Sequence, residues 1–184
     1  MRVERLYQQY ELELRWTHFP LHPETPLEGK TLEELFAGRG MDLPAAKARM
    51  VEVMAAEGLD FGERTMTFNS RLAQELGAFA SDRLPEIHQA LFRAYFVEGK
   101  NLARTEVLIE AGLRVGLRRE EMNEVLDGRR MEGLVDADWR RCHEKGVTGV
   151  PTFRVGDAMA VGALPYEQLE AFLLRAGAVK RSIS

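Results

Sequence analysis

The first apolar side chains of the sequence are spaced three and four residues apart, which predicts an amphipathic helix over residues 2–10. Apolar and polar side chains then alternate over residues 11–19, a pattern typical of a strand with one buried face. That buried face would carry Leu12, Leu14 and Trp16. The two patterns together predict a helix followed directly by a strand.

A long helical stretch is predicted after the strand. Thr31 and Glu34 have the three-residue spacing of a capping box, which indicates a short helix that ends near Gly38. Asp42 is suited to cap the next helix, and from there to residue 145 the spacing is helical almost throughout. The inner face of the helix after Asp42 is predicted to carry Met50, Val51 and Met54.

The spacing changes once more after the helical stretch. Two short apolar segments, residues 152–155 and 158–161, are separated by a Gly-Asp dipeptide, which predicts a β-hairpin with a two-residue turn. Pro165 then opens a last helix. Two ends that contain strands, separated by helices, indicate one α/β domain whose halves come together around an insertion.

Composition narrows the classes of function. The 184 residues include one cysteine, Cys142, which excludes a disulfide, a cysteine zinc cluster and a dithiol centre within this sequence. The net charge of −4 gives no support for a nucleic-acid partner. No apolar stretch reaches the length of a membrane-spanning helix, and no apolar run near Met1 resembles a signal peptide, so we expect no membrane partner and a cytoplasmic location.

The most specific motif lies directly before the predicted hairpin and runs from Gly146 to Phe153 (GVTGVPTF). Gly149 and Pro151 bracket a tight entry into a strand, and proline donates no ladder hydrogen bond there. This segment resembles the cis-proline loop of thioredoxin-fold proteins. It is especially similar to the loop of the DsbA-like thiol oxidoreductases, which include 2-hydroxychromene-2-carboxylate isomerase and the FrnE-type proteins.

The resemblance extends over nearly the whole sequence. Residues 16–23 (WTHFPLHP) resemble the second strand of the fold and its exit loop. Residues 69–73 (NSRLA) and 91–96 (LFRAYF) are similar to two recurrent segments of the family's helical insertion. The C-terminal hairpin and helix of the family match residues 146–173.

The resemblance implies an α/β, thioredoxin-like fold with a large all-helical insertion. Residues 1–29 and 147–184 would form the thioredoxin-like domain, and residues 30–146 would form the insertion. Residues 2–6 resemble the later turns of the first helix of the fold, so the first strand is missing from the sequence. That strand is central in this fold, and its absence would leave a gap with unpaired backbone groups.

The family's reactive site is a Cys-x-x-Cys, or a variant with one Cys or Ser, at the start of the first helix, where the helix N-terminus stabilises a thiolate. This segment is missing as well, so we predict no catalytic residue and expect the chain as given to be inactive in thiol–disulfide exchange. A start codon assigned too far downstream, or a shortened gene, would explain the absence. The other explanation is a trimmed natural variant that closes the gap by direct strand pairing or as a homodimer.

The resemblance also implies where a substrate would bind. The backbone of Val150 would pair with an extended substrate or with the peptide part of glutathione, and Pro151 would lie against the reactive sulfur. With Gly149, these residues are the predicted substrate-binding loop. His22 follows the strand that would flank the cleft and is a further candidate for a substrate contact. No cofactor is expected, and glutathione would act as a co-substrate.

The remaining chemistry-bearing residues have simpler explanations. Cys142 lies near the end of a predicted helix, where the negative end of the helix dipole disfavours a thiolate, so we predict a structural cysteine. His18 and His22 are four residues apart, but Pro20 lies between them and prevents the helical geometry that would bring the rings together. No metal site is predicted.

Three functions remain open at this point. The first is a DsbA-family, FrnE-like protein that carries out thiol–disulfide exchange or a glutathione-assisted isomerisation in its full-length form, with thiol or peptide partners. The second is a noncatalytic peptide-binding or chaperone-like protein that keeps the docking loop without the thiols. The third is a purely structural helical protein in which the GVTGVPTF motif is a coincidence.

Overall fold

In a computed structural model, which describes residues 2–81 and 86–182, the contacts of the chain divide it into two units. The first, here called the terminal unit, consists of Met1–Leu21 and Asp138–Ser184. The second, the helical unit, is His22–Ala137. The predicted boundaries of the insertion, residues 30 and 146, stay a prediction.

The terminal unit contains three helices or parts of helices and one hairpin. Its elements are helix α1 (Arg2–Gln9), the second part of helix α8 (Glu132–Glu144), strands β3 (Thr152–Val155) and β4 (Ala158–Val161), and helix α9 (Tyr166–Arg175). Leu6 and Tyr10 pack against Tyr166 and Leu169 in the core of this unit. The Tyr10 hydroxyl donates to Glu170 Oε1 at 2.8 Å, which joins the end of α1 to α9.

The predicted hairpin is present in the expected register. β3 and β4 are antiparallel, with Val155 opposite Ala158 and Phe153 opposite Ala160. Gly156 opens the two-residue turn with a φ of +58°, in the left-handed region that glycine adopts without steric cost. Among the described residues, β3 pairs with β4 alone.

The strand predicted over residues 11–19 is wrong. In the described part of the chain these residues form no strand, and the side chains of Leu14 and Trp16 are 42% and 67% exposed instead of buried. The only ladder-like contacts nearby, within the same described ranges, form the bridge between Tyr10 and Lys180, in which Glu11 N donates to Val179 O and Arg181 N donates to Gln9 O, both at 2.9 Å. A strand is stable only beside a hydrogen-bonded neighbour, and no described strand lies next to this segment.

The helical unit contains most of the helices of the chain. Its core is formed by four helices and the turn between two of them, with Leu76, Leu108 and Met122 completely buried. The insertion is predicted to be all-helical, but two short strands pair antiparallel within it, so this detail of the prediction is wrong. The elements are β1 (Lys30–Thr31), α2 (Leu32–Phe36), α3 (Leu43–Ala56), β2 (Met66–Thr67), α4 (Arg71–Ala80), α5 (Glu86–Phe92), a π-helical turn (Arg93–Val97), α6 (Thr105–Arg114), α7 (Arg119–Asp127) and the first part of α8.

Local sequence signals set the helix starts of this unit. Thr31 and Glu34 form the predicted capping box, with the Thr31 hydroxyl accepting from Glu34 N at 3.0 Å and Glu34 Oε2 accepting from Thr31 N at 2.8 Å. Asp42 Oδ1 accepts from Ala45 N at 3.0 Å and caps α3. The predicted inner face of α3 is wrong, because Met50 and Val51 are exposed and no residue of this helix is buried.

None of the helices described here is both long enough and apolar enough to cross a membrane.

Candidate functional site: the Gly149–Pro151 loop and the free edge of β3

The predicted substrate-binding loop leads directly into β3. The Val150–Pro151 peptide bond is cis, and the Val150 side chain is 51% exposed. The Thr152 hydroxyl donates to Gly149 O at 2.7 Å and fixes the loop against the first residue of the strand. Pro151 O accepts from Gly162 N at 2.8 Å, so the β3–β4 ladder continues one pair beyond the strands.

The backbone groups on the other side of this loop are unpaired. Within residues 2–81 and 86–182, neither the amide nor the carbonyl of Val150 has a hydrogen-bond partner. In an antiparallel pair, alternate residues point their backbone groups to opposite edges. Because Pro151 bonds toward β4, the backbone groups of Thr152 and Arg154 lie on the edge that faces away from β4. This edge can receive one more extended chain.

An apolar cleft lies in the same unit. Its volume is about 60 Å³, it is partly open to solvent, and it has no polar side chain in its lining. Phe153 of β3 contributes to it, so the cleft adjoins the strand that has the free edge. The lining residues are Val3, Leu6, Leu12, Leu14, Phe153, Leu169, Phe172 and Leu173.

Cys142 is not placed as a nucleophile. Its side chain is buried, and its Sγ lies 3.5 Å from His18 O, which accepts the weak thiol hydrogen bond. Burial raises the pKa of the Cys142 thiol, the neighbouring Asp138 carboxylate raises it further, and Arg141 opposes this shift only in part. A thiol with a raised pKa stays protonated and unreactive near neutral pH, as expected for a structural cysteine.

Asp138 has a buried, fully hydrogen-bonded carboxylate, and the sequence pattern did not single it out. Its carboxylate is buried and accepts three hydrogen bonds: from His18 N at 3.1 Å, from His18 Nδ1 at 2.9 Å and from Arg141 Nη1 at 2.7 Å. These bonds hold the segment around His18 against α8, and the His18 ring takes part in this structural contact. The three-residue spacing of Asp138 and Arg141 on α8 was the signal available in the sequence.

His22 lies in the helical unit, in a turn in which Thr25 N donates to His22 O at 3.1 Å. Asn69 Nδ2 donates to Pro23 O at 3.1 Å and to Thr25 O at 2.9 Å, and so fixes the turn. Burial lowers the pKa of the half-buried His22 ring, and nearby arginines lower it further while Glu24 opposes them. No substrate contact of His22 follows from this geometry, so its predicted role stays a prediction.

The described residues contain no group of three or more His, Cys, Asp or Glu side chains placed to hold a metal ion.

The hairpin that follows a cis-proline loop, the helices on either side of it and the large helical insertion define a thioredoxin-fold protein of the DsbA type. The profile of the DSBA-like thioredoxin domain family matches residues 1–174, and the chain belongs to this family. The predicted family is therefore confirmed, and so is the predicted fold class, apart from the short β1–β2 pair in the insertion.

A solved structure supports the same assignment. The chain is similar to the crystal structure of a probable DsbA oxidoreductase from Streptomyces coelicolor, with 28% sequence identity and a TM-score of 0.76. The similarity covers 85% of this chain and 71% of that protein. No curated protein matches the sequence.

Proposed function

We propose that this chain forms the substrate-docking part of a FrnE-like thiol–disulfide oxidoreductase, and that an extended peptide substrate pairs with the backbone of Val150. The observation that carries the proposal is the unpaired amide and carbonyl of Val150, among the described residues, beside an exposed side chain in a chain of the DsbA-like family. Strand addition to an exposed edge is a general mode of peptide recognition, in which main-chain hydrogen bonds give affinity.

The neighbouring surfaces suit a peptide with apolar side chains. The cleft in the same unit, which Phe153 lines, offers an apolar wall to side chains of a peptide that pairs with Val150. The cleft has no charged lining that would select one charge in the ligand. Backbone pairing with little side-chain selection fits a protein that acts on many thiol-containing polypeptides.

Peptide docking predicts a specific mutational result. Val150→Pro removes the amide donor, and we expect the affinity for an acetylated and amidated apolar pentapeptide to fall about tenfold, the effect of losing about one hydrogen bond. Val150→Ala keeps both backbone groups and should bind nearly as well as the unchanged chain. Fluorescence anisotropy of the labelled peptide measures both, and far-UV circular dichroism checks that each variant is folded. Equal affinity of the proline and alanine variants would contradict docking at Val150.

We expect the 184 residues alone to have no redox activity. Since Cys142 is the one cysteine of the sequence and is buried, we expect the chain to reduce insulin with dithiothreitol at the uncatalysed rate. Cys142→Ser should give the same trace, and DsbA protein serves as the positive control. Turnover that disappears in the Cys142→Ser variant would show that Cys142 is a reactive thiol.

A second candidate function is noncatalytic peptide binding of a chaperone-like kind. It is favoured by the combination of an open β3 edge with no reactive thiol among the described residues. The two candidates predict the same peptide affinity and differ in one result: only the oxidoreductase gains turnover when a Cys-x-x-Cys segment of the family is fused before residue 2.

Three finer points belong to the same proposal. Glutathione would bind through its peptide groups at Val150 and should compete with the labelled peptide, which would also make a glutathione-assisted isomerisation feasible.

A second copy of the chain could cover the free β3 edge, and sedimentation would then show a homodimer. A cytoplasmic location is proposed because a single unpaired cysteine suits a reducing compartment, and cell fractionation tests it.

A further inference from the structure

Helix α3, with 14 residues, is the longest helix that the structure describes, yet it contains no buried residue. Among the described helices, only α3 and the five-residue α2 lack one. An isolated helix shorter than about 12–15 residues is marginal in water, because the packing of an apolar face supplies most of the stability of a helix in a protein. The length and the apolar side chains of α3 therefore indicate a face that another molecule covers.

The exposed apolar side chains form a stripe along α3. Ala46, Met50 and Val53, here called the α3 stripe, are spaced four and three residues apart and so share one face. Met50 is 46% exposed and Val53 is 38% exposed. Leu43 and Met54 are half-buried and mark the side of the helix that faces the rest of the unit. The α3 stripe lies beside that contact and stays open to solvent.

Two unpaired charges of opposite sign lie along the stripe. Arg49 and Glu52 are exposed and lie three residues apart on the same flank, and their side chains make no hydrogen bond or ion pair with a described residue. Lys47, on the opposite flank, binds Glu63 at 3.0 Å within the chain. Arg49 and Glu52 can thus pair with a helix that presents an acidic and a basic group in the reverse order.

A second copy of α3 presents the charges in that order when it packs antiparallel. Around a twofold axis between positions 50 and 51, Arg49 of each copy lies level with Glu52 of the other, so both charges of both copies are paired. A parallel pair would place Arg49 level with Arg49 instead. The antiparallel arrangement also brings the positive end of each helix dipole beside the negative end of the other.

We propose that α3 is a self-association face, on which a second copy of the chain packs antiparallel along the α3 stripe. The exposed Met41, before the helix, then lies at the same end of the pair as the exposed Leu59 of the second copy. A helix of this length spans about 21 Å, so the contact is smaller than a standard interface and the dimer is weak. The inference goes beyond the proposed function, since it uses neither the β3 edge nor the loop before it.

Sedimentation velocity of the chain and of two charge variants tests the proposal. We expect a monomer–dimer equilibrium over a concentration series from about 5 to about 500 µM, with the dimer weakened by added salt. Arg49→Glu and Glu52→Arg each bring like charges together at two symmetry-related places, and each should weaken the dimer about tenfold. An equimolar mixture of the two variants restores both pairs and should dimerise nearly as tightly as the unchanged chain.

The controls separate this face from other modes of association. Lys47→Gln removes a charge of α3 that is paired within the chain, so it should leave the dimer unchanged. The double variant with Arg49→Glu and Glu52→Arg keeps both pairs in reversed form and should dimerise like the unchanged chain. Far-UV circular dichroism checks that each variant is folded.

Three outcomes overturn the proposal. The first is a monomer at every concentration. The second is a dimer that the single charge variants do not weaken, as expected for association through the β3 edge. The third is a mixture of the single variants that stays as weak as each variant alone. If a single variant does not fold, a folded double variant that fails to dimerise overturns it.

Discussion

Replacing Glu75 by Gln is expected to lower the free energy of unfolding of the helical unit by about 3–5 kcal/mol at pH 7, the cost of breaking a buried ion pair on one side. The Glu75 side chain is completely buried on α4. Its carboxylate accepts from Arg71 Nε at 2.7 Å and from Arg129 Nε and Nη2 at 2.9 and 2.6 Å. Glutamine would leave both guanidinium groups without this buried charge partner, and only the exposed carboxylates of Asp136, beside Arg71, and Glu132, beside Arg129, would remain.

The same network connects distant parts of the helical unit. Arg71 also reaches Asp136 at 2.7 Å and Glu132 O at 3.0 Å on α8. Arg129, at the end of α7, has a φ of +47°, an uncommon backbone conformation for a residue other than glycine. Glu75 on α4 therefore holds two other parts of the unit in place, the strained end of α7 and the first turns of α8. Its replacement should loosen the contacts among α4, α7 and α8.

Urea unfolding followed by far-UV circular dichroism measures the effect. Glu110→Gln is the matched control, because Glu110 also binds two cations, Lys100 and Arg114 at 2.7 Å each, but its side chain is 49% exposed. Exposed ion pairs contribute about 0–1 kcal/mol, so this control should move the transition little. A Glu75→Gln variant as stable as the Glu110→Gln variant would show that the buried network does not hold the unit together.

The difference should also depend on pH. Burial alone would raise the pKa of Glu75, but hydrogen bonds from Arg129 and Arg71 hold it below the ordinary 4.5. A carboxyl group with a lowered pKa in the folded state contributes its full stabilisation above the pKa of the unfolded state. The gap between the unchanged chain and Glu75→Gln should thus be constant from pH 7 to 5 and shrink below about pH 4.5.

Local signals predicted the elements that depend on neighbouring residues. The capping box at Thr31, the cap at Asp42 and the Gly-Asp hairpin turn all form bonds within a few residues, and their positions in the structure agree with the sequence pattern. The family was also predictable, because the loop around Pro151 is specific and the helical segments occur in the right order.

The wrong predictions concern surfaces that need a partner. Alternation over residues 11–19 describes a strand only if another strand supplies hydrogen bonds, and the described chain supplies none beside Leu14. In the same way, the apolar residues of α3 predicted a buried face. These Ala and Met residues lie on several sides of the helix, and no residue of α3 is buried by another described element.

The charged clusters could not be predicted because they form between distant residues. Glu75 meets Arg129 across 54 positions, and Asp138 meets His18 across 120. Arg64 is a single basic residue in the sequence, and its contacts with Tyr95 and Phe96 of the π-helical turn become visible only in the structure. Charged residues usually lie on solvated surfaces, and a single sequence gives no sign of which of them pair in the interior.

The second large effect is expected at Gly62, where alanine should destabilise the helical unit by about 1–3 kcal/mol, the usual cost of overpacking. A Cβ atom at this position would lie 2.0 Å from Val97 O and 2.8 Å from Val97 C. Both are backbone atoms of the π-helical turn, so no side-chain rotation can relieve the clash. Gly62 N also donates to Phe96 O at 2.9 Å, a bond that fixes this close approach and would be lost on separation.

Gly133→Ala is the control for Gly62→Ala. Gly133 lies in α8. An alanine Cβ there would have no described atom within 4 Å, apart from those of its chain neighbours and of the backbone of its own helix. Alanine there should stabilise the helix by up to about 1 kcal/mol. Urea unfolding by circular dichroism compares the two variants.

The same loop leads into Arg64, whose guanidinium packs against Tyr95, and this contact gives a second readout for Gly62→Ala. Because Arg64 N donates to Gly62 O at 3.2 Å, displacement of the loop should also move the NMR signals of Arg64 and Tyr95. Gly133→Ala should leave these signals in place, since Gly133 lies on a different element. Two variants of equal stability, with unchanged Arg64 signals, would mean that the loop and the π-helical turn separate without cost.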